Sequence, residues 1–276
     1  MKKNATVLSL IIVILVSSFL VYKNWKLKTD VILETTKQIK DVVVEGFVVP
    51  GSFETKVLNP TNAYVIIDVK YPSFKKAGDD FNLKVENLIK SQMEDHIKIS
   101  QENWQARYDT QVKGDNIPKV PSKNDDKFSF FSDFTVVQSN STYISFVLKY
   151  GGFSGGAHGY ENNVSFNYDV KNHKAIELKD LFLNDSQYLN YLSTKTRESL
   201  KKEFATVSEQ EKKDSSSQAI KEYVASIISM IDVGTEPKEE NFSVFTFTTY
   251  KIKIYFAQYQ VGAYVIGMPE VEVDRK

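Results

Sequence analysis

YISFVLKYGGFSGGAHGYENNVSFNYDV, residues 143–170, consists of two apolar segments on either side of a glycine-rich turn. The β-branched and aromatic residues of both segments predict two strands. Between them, residues 150–160 hold five of the twelve glycines in the chain. A tight reversal needs positive φ angles and close backbone approach, and glycine tolerates both. The sequence therefore predicts a strand, a glycine turn and a second strand.

The turn also contains GFSGG, residues 152–156, which matches the G-x-S-x-G pattern of hydrolase nucleophiles. In that motif a helix follows the serine, whereas here a second predicted strand follows Ser154. The histidines after the serine are His158, four residues away, and His173, in a predicted hairpin turn. This order matches no known catalytic triad. We therefore interpret Ser154 as incidental and expect no catalytic residue here.

Two interpretations of the turn remain open. It is either a structural reversal or a binding loop, in which exposed amides form a nest for an anion or a ligand carbonyl. In a binding loop, glycines supply the backbone platform and a histidine and a tyrosine supply side-chain contacts. Two tyrosines near the C-terminus are further candidates, because aromatic rings stack on sugars and anchor protein interfaces, although both also fit ordinary sheet core. The candidate ligand-binding residues are Gly155, Gly156, His158, Gly159, Tyr160, Tyr259 and Tyr264.

Strand and helix patterns extend outward from this turn in both directions. Residues Phe81 to Trp104 have helical spacing, and two helices follow residue 182, the second with an apolar stripe from Ile220 to Ile231. Charged, polar or proline-containing segments at 109–127 and 208–218 predict a loop and a solvated linker. The predicted strands lie at 41–51, 62–72, 128–138, 141–150, 162–170, 174–182, 241–264 and 270–273.

This pattern predicts an α+β fold with mainly antiparallel sheets and packed helices. We expect two similar-sized subdomains, residues 31–155 and 156–276, behind an N-terminal transmembrane helix within residues 1–30.

The N-terminal segment, MKKNATVLSLIIVILVSSFLVYKNWK, begins with two lysines and is apolar from Ala5 to Tyr22. Its 18 apolar residues approach the roughly 20 that cross a bilayer as a helix. We expect a signal anchor in the cell membrane, single-pass, with the rest of the chain outside the cytoplasm. A cleaved signal peptide and a secreted protein are the alternative.

Composition excludes several classes of function. The formal net charge is zero, which does not favour nucleic acid as a partner. The chain has no cysteine, so thiolate metal sites and disulfides are excluded. Its three histidines are not at metal-ligand spacing, and His96 in the helical segment is expected at the surface or the edge of the core. We expect no cofactor and no metal.

GGAHGYENNVSFNYDVKNHKAIELKDLF, residues 155–182, and NFSVFTFTTYKIKIYFAQYQVGAYVIGMPEVEV, residues 241–273, carry a family resemblance. Together they resemble the extracytoplasmic domain of RsiV-type anti-sigma factors. The upstream part, with the VKYPSF strand end, the helix from Phe81 and the strands leading into the glycine turn, is similar to the domain that precedes the catalytic module of PdaC-type peptidoglycan deacetylases. The two resemblances assign residues 31–155 to the PdaC-like part and 156–276 to the RsiV-like part.

The resemblance implies a bacterial envelope protein whose ectodomain binds either a lysozyme-like protein or cell-wall glycan, and which reaches the membrane through its N-terminal helix. Few residues precede the apolar segment and the chain ends at Lys276, so we expect neither a sigma-binding nor a deacetylase module. The leading hypothesis is therefore a non-catalytic binding module. A cell-wall glycan hydrolase with a cryptic site is the alternative, and an envelope scaffold without a specific ligand is a third possibility.

Overall fold

A six-stranded sheet forms the first half of the fold in the computed structural model, which describes residues 47–110, 118–182, 185–211 and 218–275. Its strands follow one another in chain order from edge to edge: β1 Phe53–Leu58, β2 Val65–Phe74, β3 Phe128–Ser139, β4 Tyr143–Phe153, β5 Tyr160–Asp169 and β6 Lys174–Ala175. The predicted membrane segment, Ala5 to Tyr22, lies outside the described residues. Within the described ranges, no helix is long and apolar enough to cross a membrane.

The sheet is mixed rather than fully antiparallel. Its neighbouring strands run antiparallel except β2 and β3, which pair in parallel with Val65 opposite Phe128. The helix α1, Asp79–Asp109, lies between these two strands in the chain and packs against both. A parallel pair needs such a crossover connection, so the helix explains the one parallel pairing. The predicted α+β class with mainly antiparallel strands is confirmed for the described residues, and the sheet with β2 and β3 in parallel is a mixed one.

Helix α1 covers the sheet with one apolar face. The helix begins after Gly78, whose φ is 81°, and its first turn carries Asp79 and Asp80. Acidic residues at this end interact favourably with the helix dipole. The buried residues recur every three or four positions and pack against the aromatic side chains of β2 to β5. They are Phe81, Val85, Ile89, Met93, His96, Ser100 and Trp104.

The second half of the fold has its own hydrophobic cluster. It contains helices α2 Tyr188–Glu211 and α3 Gln218–Gly234 and a three-stranded antiparallel sheet. The strands of this sheet are β7 Phe245–Phe247, β8 Lys251–Tyr255 and β9 Glu270–Asp274. Buried side chains from both helices and all three strands form this core, which is separate from the core under α1.

Three sequence predictions are corrected here. Of the strand predicted at 41–51, residues 41–46 lie outside the described residues, and residues 47–51 contain only an isolated bridge between Val48 and Ser139; β1 begins at Phe53. In 174–182 only two residues are strand, and a 3₁₀ helix follows at Leu178–Phe182. The predicted linker at 208–218 begins inside α2, which continues to Glu211.

A polar seam joins the two halves where β7 meets β4 and β5. The Phe247 amide donates to Ser145 Oγ at 2.9 Å, and the Phe245 amide donates to Ser165 Oγ at 3.1 Å. Asn167 Nδ2 donates to the Phe245 carbonyl at 2.8 Å. These side chains form hydrogen bonds with backbone groups of β7 that are not paired with β8. The seam therefore stabilises the contact between the two sheets.

Candidate functional site

The β4–β5 loop, residues 154–159, is the predicted glycine turn, and the structure places it between two antiparallel strands. Gly155 and Gly156 have φ angles of 108° and 94°, as the sequence predicts for a tight reversal. L-amino acids with a side chain rarely adopt this region. Asn103 of α1 donates from Nδ2 to the Ser154 carbonyl at 2.7 Å, which ties the loop to the helix. The two glycines thus allow the tight backbone conformation of the loop, and the hydrogen bond from Asn103 fixes its first residue, Ser154, to the helix.

His158 stands exposed on this loop and meets two tyrosines from far along the chain. Its ring stacks on Tyr264, with centroids 3.9 Å apart and planes 26° apart. The Tyr259 hydroxyl lies 3.3 Å from His158 Nε2, and the rings of Tyr259 and Tyr264 are 5.9 Å apart. We call His158, Tyr259 and Tyr264 the His158 cluster. All three are residues that the sequence singled out, although it did not predict that they touch.

One carbonyl oxygen organises the His158 cluster. His158 Nδ1 lies 2.9 Å from the Gly159 oxygen, and the Tyr264 hydroxyl donates to the same oxygen at 3.1 Å. A carbonyl only accepts, so Nδ1 carries the hydrogen in this contact. In the neutral imidazole Nε2 is then an acceptor, and it receives the Tyr259 hydroxyl. Gly159 therefore contributes a backbone acceptor to the cluster.

Tyr259 is presented by a strained turn. Its φ is 64°, in the left-handed region that residues with a side chain seldom occupy, and its side chain is 52% exposed. Gln260 fixes this turn, because its Nε2 donates to the carbonyls of Gly234 and Asn241, each at 3.0 Å. Its Oε1 accepts from the Ala257 amide at 3.0 Å. The scaffold holds Tyr259 outward at a conformational cost, which is a pattern found at functional sites.

Tyr160 lies apart from this arrangement. It is half-buried, and its hydroxyl lies 2.9 Å from His96 Nδ1 rather than facing a ligand. Burial raises the pKa of Tyr160, and the nearby Tyr150 and Asp95 add to this effect. Of the seven candidate residues, Tyr160 is thus the one whose side chain supports the loop from below.

His96 is the residue that the sequence reasoning missed. It is 2% exposed, not at the surface, and burial lowers its pKa, an effect that backbone groups of Ser129 and Phe153 partly oppose. Its Nε2 is buried and has no hydrogen-bond partner among the residues that the structure describes. A side chain at Gly152 would place Cβ 2.8 Å from His96 Cε1 and 2.2 Å from the Ser129 carbonyl. The spacing from Met93 through His96 to Ser100 and Trp104 was the available signal for its burial.

The surroundings of Ser154 and His158 differ from a hydrolase triad. The strand β5 follows the loop, where a nucleophile elbow has a helix. In the part of the chain that the structure describes, His158 makes its hydrogen bonds to a carbonyl and a tyrosine hydroxyl, with no carboxylate among its partners. Those same ranges contain no group of three His, Asp or Glu side chains that could hold a metal ion.

Two family models match the chain, one in each half. Residues 58–161 match the family described as "Deacetylase PdaC", and residues 179–276 match the one described as "Protein of unknown function (DUF3298)". The peptidoglycan-N-acetylmuramic acid deacetylase PdaC of Bacillus subtilis strain 168 is 26% identical over 209 residues, or 75% of this chain. The match spans 37% of the length of that relative. The PdaC-type resemblance of the first half is thus confirmed.

Two crystal structures are similar to the chain. One is a DUF3298 family member from Bacteroides fragilis NCTC 9343, with a TM-score of 0.51 and 17% identity, covering 80% of this chain and 89% of its own. The other is a DUF3298 family protein from Pseudomonas aeruginosa PAO1, with a TM-score of 0.46 and 13% identity, covering 83% of this chain and 93% of its own. The first likeness concerns the fold alone.

By the two family matches, the chain joins a PdaC-like region and a DUF3298-like region. His158 lies in the PdaC-like region, and Tyr259 and Tyr264 lie in the DUF3298-like region.

Proposed function

We propose that this protein is a non-catalytic module of the bacterial cell envelope that binds the glycan of the cell wall through the His158 cluster. The observation that carries the proposal is the cluster itself, which brings together three rings from two separate segments. His158 stacks on the half-buried Tyr264, and His158 and Tyr259 are exposed. The Gly159 carbonyl fixes His158 Nδ1 and the Tyr264 hydroxyl, and the Tyr259 hydroxyl lies against His158 Nε2. Rigid aromatic surfaces of this kind are common anchors in recognition.

The chemistry of the cluster suits a sugar. A pyranose ring presents C–H groups on its faces and hydroxyls at its rim, whereas an aromatic ring has an electron-rich face. The half-exposed ring of Tyr259 offers such a face, and its hydroxyl and His158 Nε2 lie together at the edge, where they can exchange hydrogen bonds with sugar hydroxyls. Because the contacts within the cluster already fix the rings, little side-chain entropy remains to be lost on binding.

The similarity to known proteins is the reason for proposing cell-wall glycan as the ligand. By its name, the Bacillus subtilis relative acts on the N-acetylmuramic acid of peptidoglycan, and the PdaC family match covers the first half of this chain, including the β4–β5 loop. We extend to this chain the cell-wall connection and not the deacetylase activity. The non-catalytic character is part of the proposal, supported by the partners of His158, which are a carbonyl and two tyrosines.

The proposed location is the outer side of the cell membrane, with the apolar segment Ala5 to Tyr22 as anchor. From there, residues 47–275 would face the wall that contains the ligand. Membrane fractionation, with protease added to intact protoplasts, tests this point. Degradation of the domain in intact protoplasts supports the proposal, and protection until lysis contradicts it.

Calorimetric titration of the full chain, in detergent micelles, with soluble uncross-linked peptidoglycan glycan chains tests the binding function. We expect saturable binding that His158→Ala weakens about tenfold, the equivalent of about 1.4 kcal/mol. Tyr264→Phe keeps the ring and loses only the hydrogen bond to Gly159, so it should weaken binding less than His158→Ala does. Equal affinity of the parent chain and His158→Ala would contradict the proposal.

A parallel titration with hen-type lysozyme covers the protein partner that the anti-sigma-factor resemblance implies. Binding of lysozyme with no binding of glycan would replace the glycan proposal by a protein partner. Shortening of the glycan chains during the titration, detected by mass spectrometry, would replace it by the hydrolase alternative.

A further inference from the structure

A cavity of about 870 Å³ opens at the junction of the two halves, at the opposite end of β5 from the β4–β5 loop. It lies between the start of α1, the end of β5 and the segment around the 3₁₀ helix Leu178–Phe182, with Tyr188 and Phe245 on its far side. Its volume falls in the range of ligand pockets, which often lie where two packed units meet. From Tyr160 to Tyr168 the strand spans about 26 Å, so this cavity is distinct from the His158 cluster.

The floor of the cavity is aromatic and comes from both hydrophobic cores. Phe81 and Phe166 belong to the core under α1, and Phe245 belongs to the core of the second half. Tyr168 also lines the cavity, and the centroid of its ring is 4.5 Å from that of Phe81. Such a floor accepts the aliphatic part of a ligand and excludes water from it.

The rim of the cavity is acidic. Four carboxylates and two lysines line it: Asp79, Asp80, Glu177, Glu239, Lys84 and Lys179. Lys179 is paired with Glu177, and Glu239 accepts a hydrogen bond from the Tyr188 hydroxyl at 2.9 Å. Across the described residues, Asp79, Asp80 and Lys84 have no ion-pair partner within 4 Å. The carboxylates of Asp79 and Asp80 and the ammonium group of Lys84 are therefore available to a ligand at one end of the cavity. Glu239 accepts one hydrogen bond from Tyr188, and a carboxylate can accept several, so it has further acceptor capacity.

We propose that this cavity binds a short peptide that carries a primary amine, with the amine at Asp80 and Glu239, the aliphatic portion over Tyr168, and a carboxylate at Lys84. Charge complementarity selects this ligand: an anionic rim repels an acidic glycan or a phosphate, whereas a carboxylate–ammonium contact is among the stronger hydrogen bonds. The aromatic floor favours a ligand with an aliphatic portion over a small inorganic cation. The site is independent of the His158 cluster and goes beyond glycan binding.

The test uses the tripeptide lysyl-D-alanyl-D-alanine and its Nα,Nε-diacetyl derivative, titrated calorimetrically into the full chain in detergent micelles. The two probes have the same backbone and differ in their amines. We expect saturable binding of the free-amine tripeptide and at least about tenfold weaker binding of the diacetyl form. Equal affinity for both probes, or no binding of the free-amine probe at millimolar concentration, would overturn the proposal.

Variants locate the binding. Asp80→Asn and Glu239→Gln keep size and hydrogen-bonding oxygen but lose the charge, so each should weaken tripeptide binding about three- to tenfold. Glu102→Gln is the matched control, since it neutralises an exposed carboxylate on the same helix, about 33 Å from Asp80 along the helix axis. A loss of affinity in Glu102→Gln as large as in Asp80→Asn would mean diffuse charge attraction and would refute the site. Because the assay contains no glycan, its failure is separable from a failure of the glycan proposal.

Discussion

Tyr259 allows the construction of the His158 cluster to be tested through its backbone. Its φ of 64° costs a residue with a side chain about 1–2 kcal/mol. Tyr259→Ala removes the ring and keeps this strain, whereas Tyr259→Gly removes both. Glycine in turn loses more conformational entropy on folding, which offsets part of the relief. We therefore expect Tyr259→Gly to be more stable than Tyr259→Ala by about 1 kcal/mol.

The two variants are matched in everything else that the structure shows for this side chain. Its exposed fraction is 52%, its hydroxyl contact to His158 Nε2 is long at 3.3 Å, and its ring is 5.9 Å from that of Tyr264. Both variants lose these contacts equally, so their difference isolates the backbone. For the same reason both should lose glycan affinity to the same extent. Tyr259→Gly would then have the higher free energy of unfolding, but its affinity for glycan would be no higher than that of Tyr259→Ala.

Thermal unfolding of the full chain, followed by circular dichroism in detergent micelles, measures the difference. A difference of 1 kcal/mol corresponds to about 2–4 °C in Tm for a domain of roughly 150–250 residues. A Tyr259→Ala variant as stable as Tyr259→Gly, or more stable, would show that Tyr259 is not held in the left-handed region. That result would refute the claim that the turn holds Tyr259 in a strained backbone conformation.

Three further predictions concern the support beneath the β4–β5 loop. Tyr160→Phe leaves His96 Nδ1 buried without its partner, so urea unfolding should show a loss of about 1–3 kcal/mol. Burial lowers the pKa of His96, so the unfolded chain binds the proton more tightly than the folded chain. The free energy of unfolding should therefore fall as the pH drops below about 6.5. His96→Gln removes this titrating group and should make the free energy of unfolding less dependent on pH in that range. An unchanged slope in His96→Gln would refute that assignment. Gly152→Ala would place Cβ 2.2 Å from the Ser129 carbonyl, so it should cost about 1–3 kcal/mol or more in the same assay, and a neutral effect would contradict the close packing.

The local features of the fold follow from the sequence most directly. The glycine turn between β4 and β5 needs only the conformational freedom of Gly155 and Gly156, and α1 follows from apolar spacing. The strand β1 was missed because FETKVL is an edge strand whose central residues are exposed, so it has no apolar alternation. The parallel pairing of β2 with β3 does not follow from the sequence either, since the paired residues, such as Val65 and Phe128, are 63 positions apart and their register depends on how α1 packs.

The candidate site was predictable as a set of residues and not as an arrangement. The sequence indicates Tyr259 and Tyr264 as aromatic candidates near the C-terminus, but a separation of about 100 residues from His158 hides their contact. His96 was expected at the surface or the edge of the core because one histidine among charged neighbours resembles a solvated helix face. Its partner, Tyr160, lies on another element, and only the packing of α1 on β5 brings the two together.

The central claim is that the His158 cluster binds cell-wall glycan, and co-sedimentation of the full chain with purified peptidoglycan sacculi tests it most directly. The informative pair is Tyr259→Ala against Tyr250→Ala, because Tyr250 is an even more exposed tyrosine, at 70%, in the β7–β8 turn outside the cluster. If the cluster binds glycan, Tyr259→Ala should lower the fraction of protein that sediments with the sacculi, by an amount that corresponds to an affinity loss of about tenfold. Tyr250→Ala should sediment like the parent chain. Equal sedimentation of the parent chain and both variants would contradict the claim.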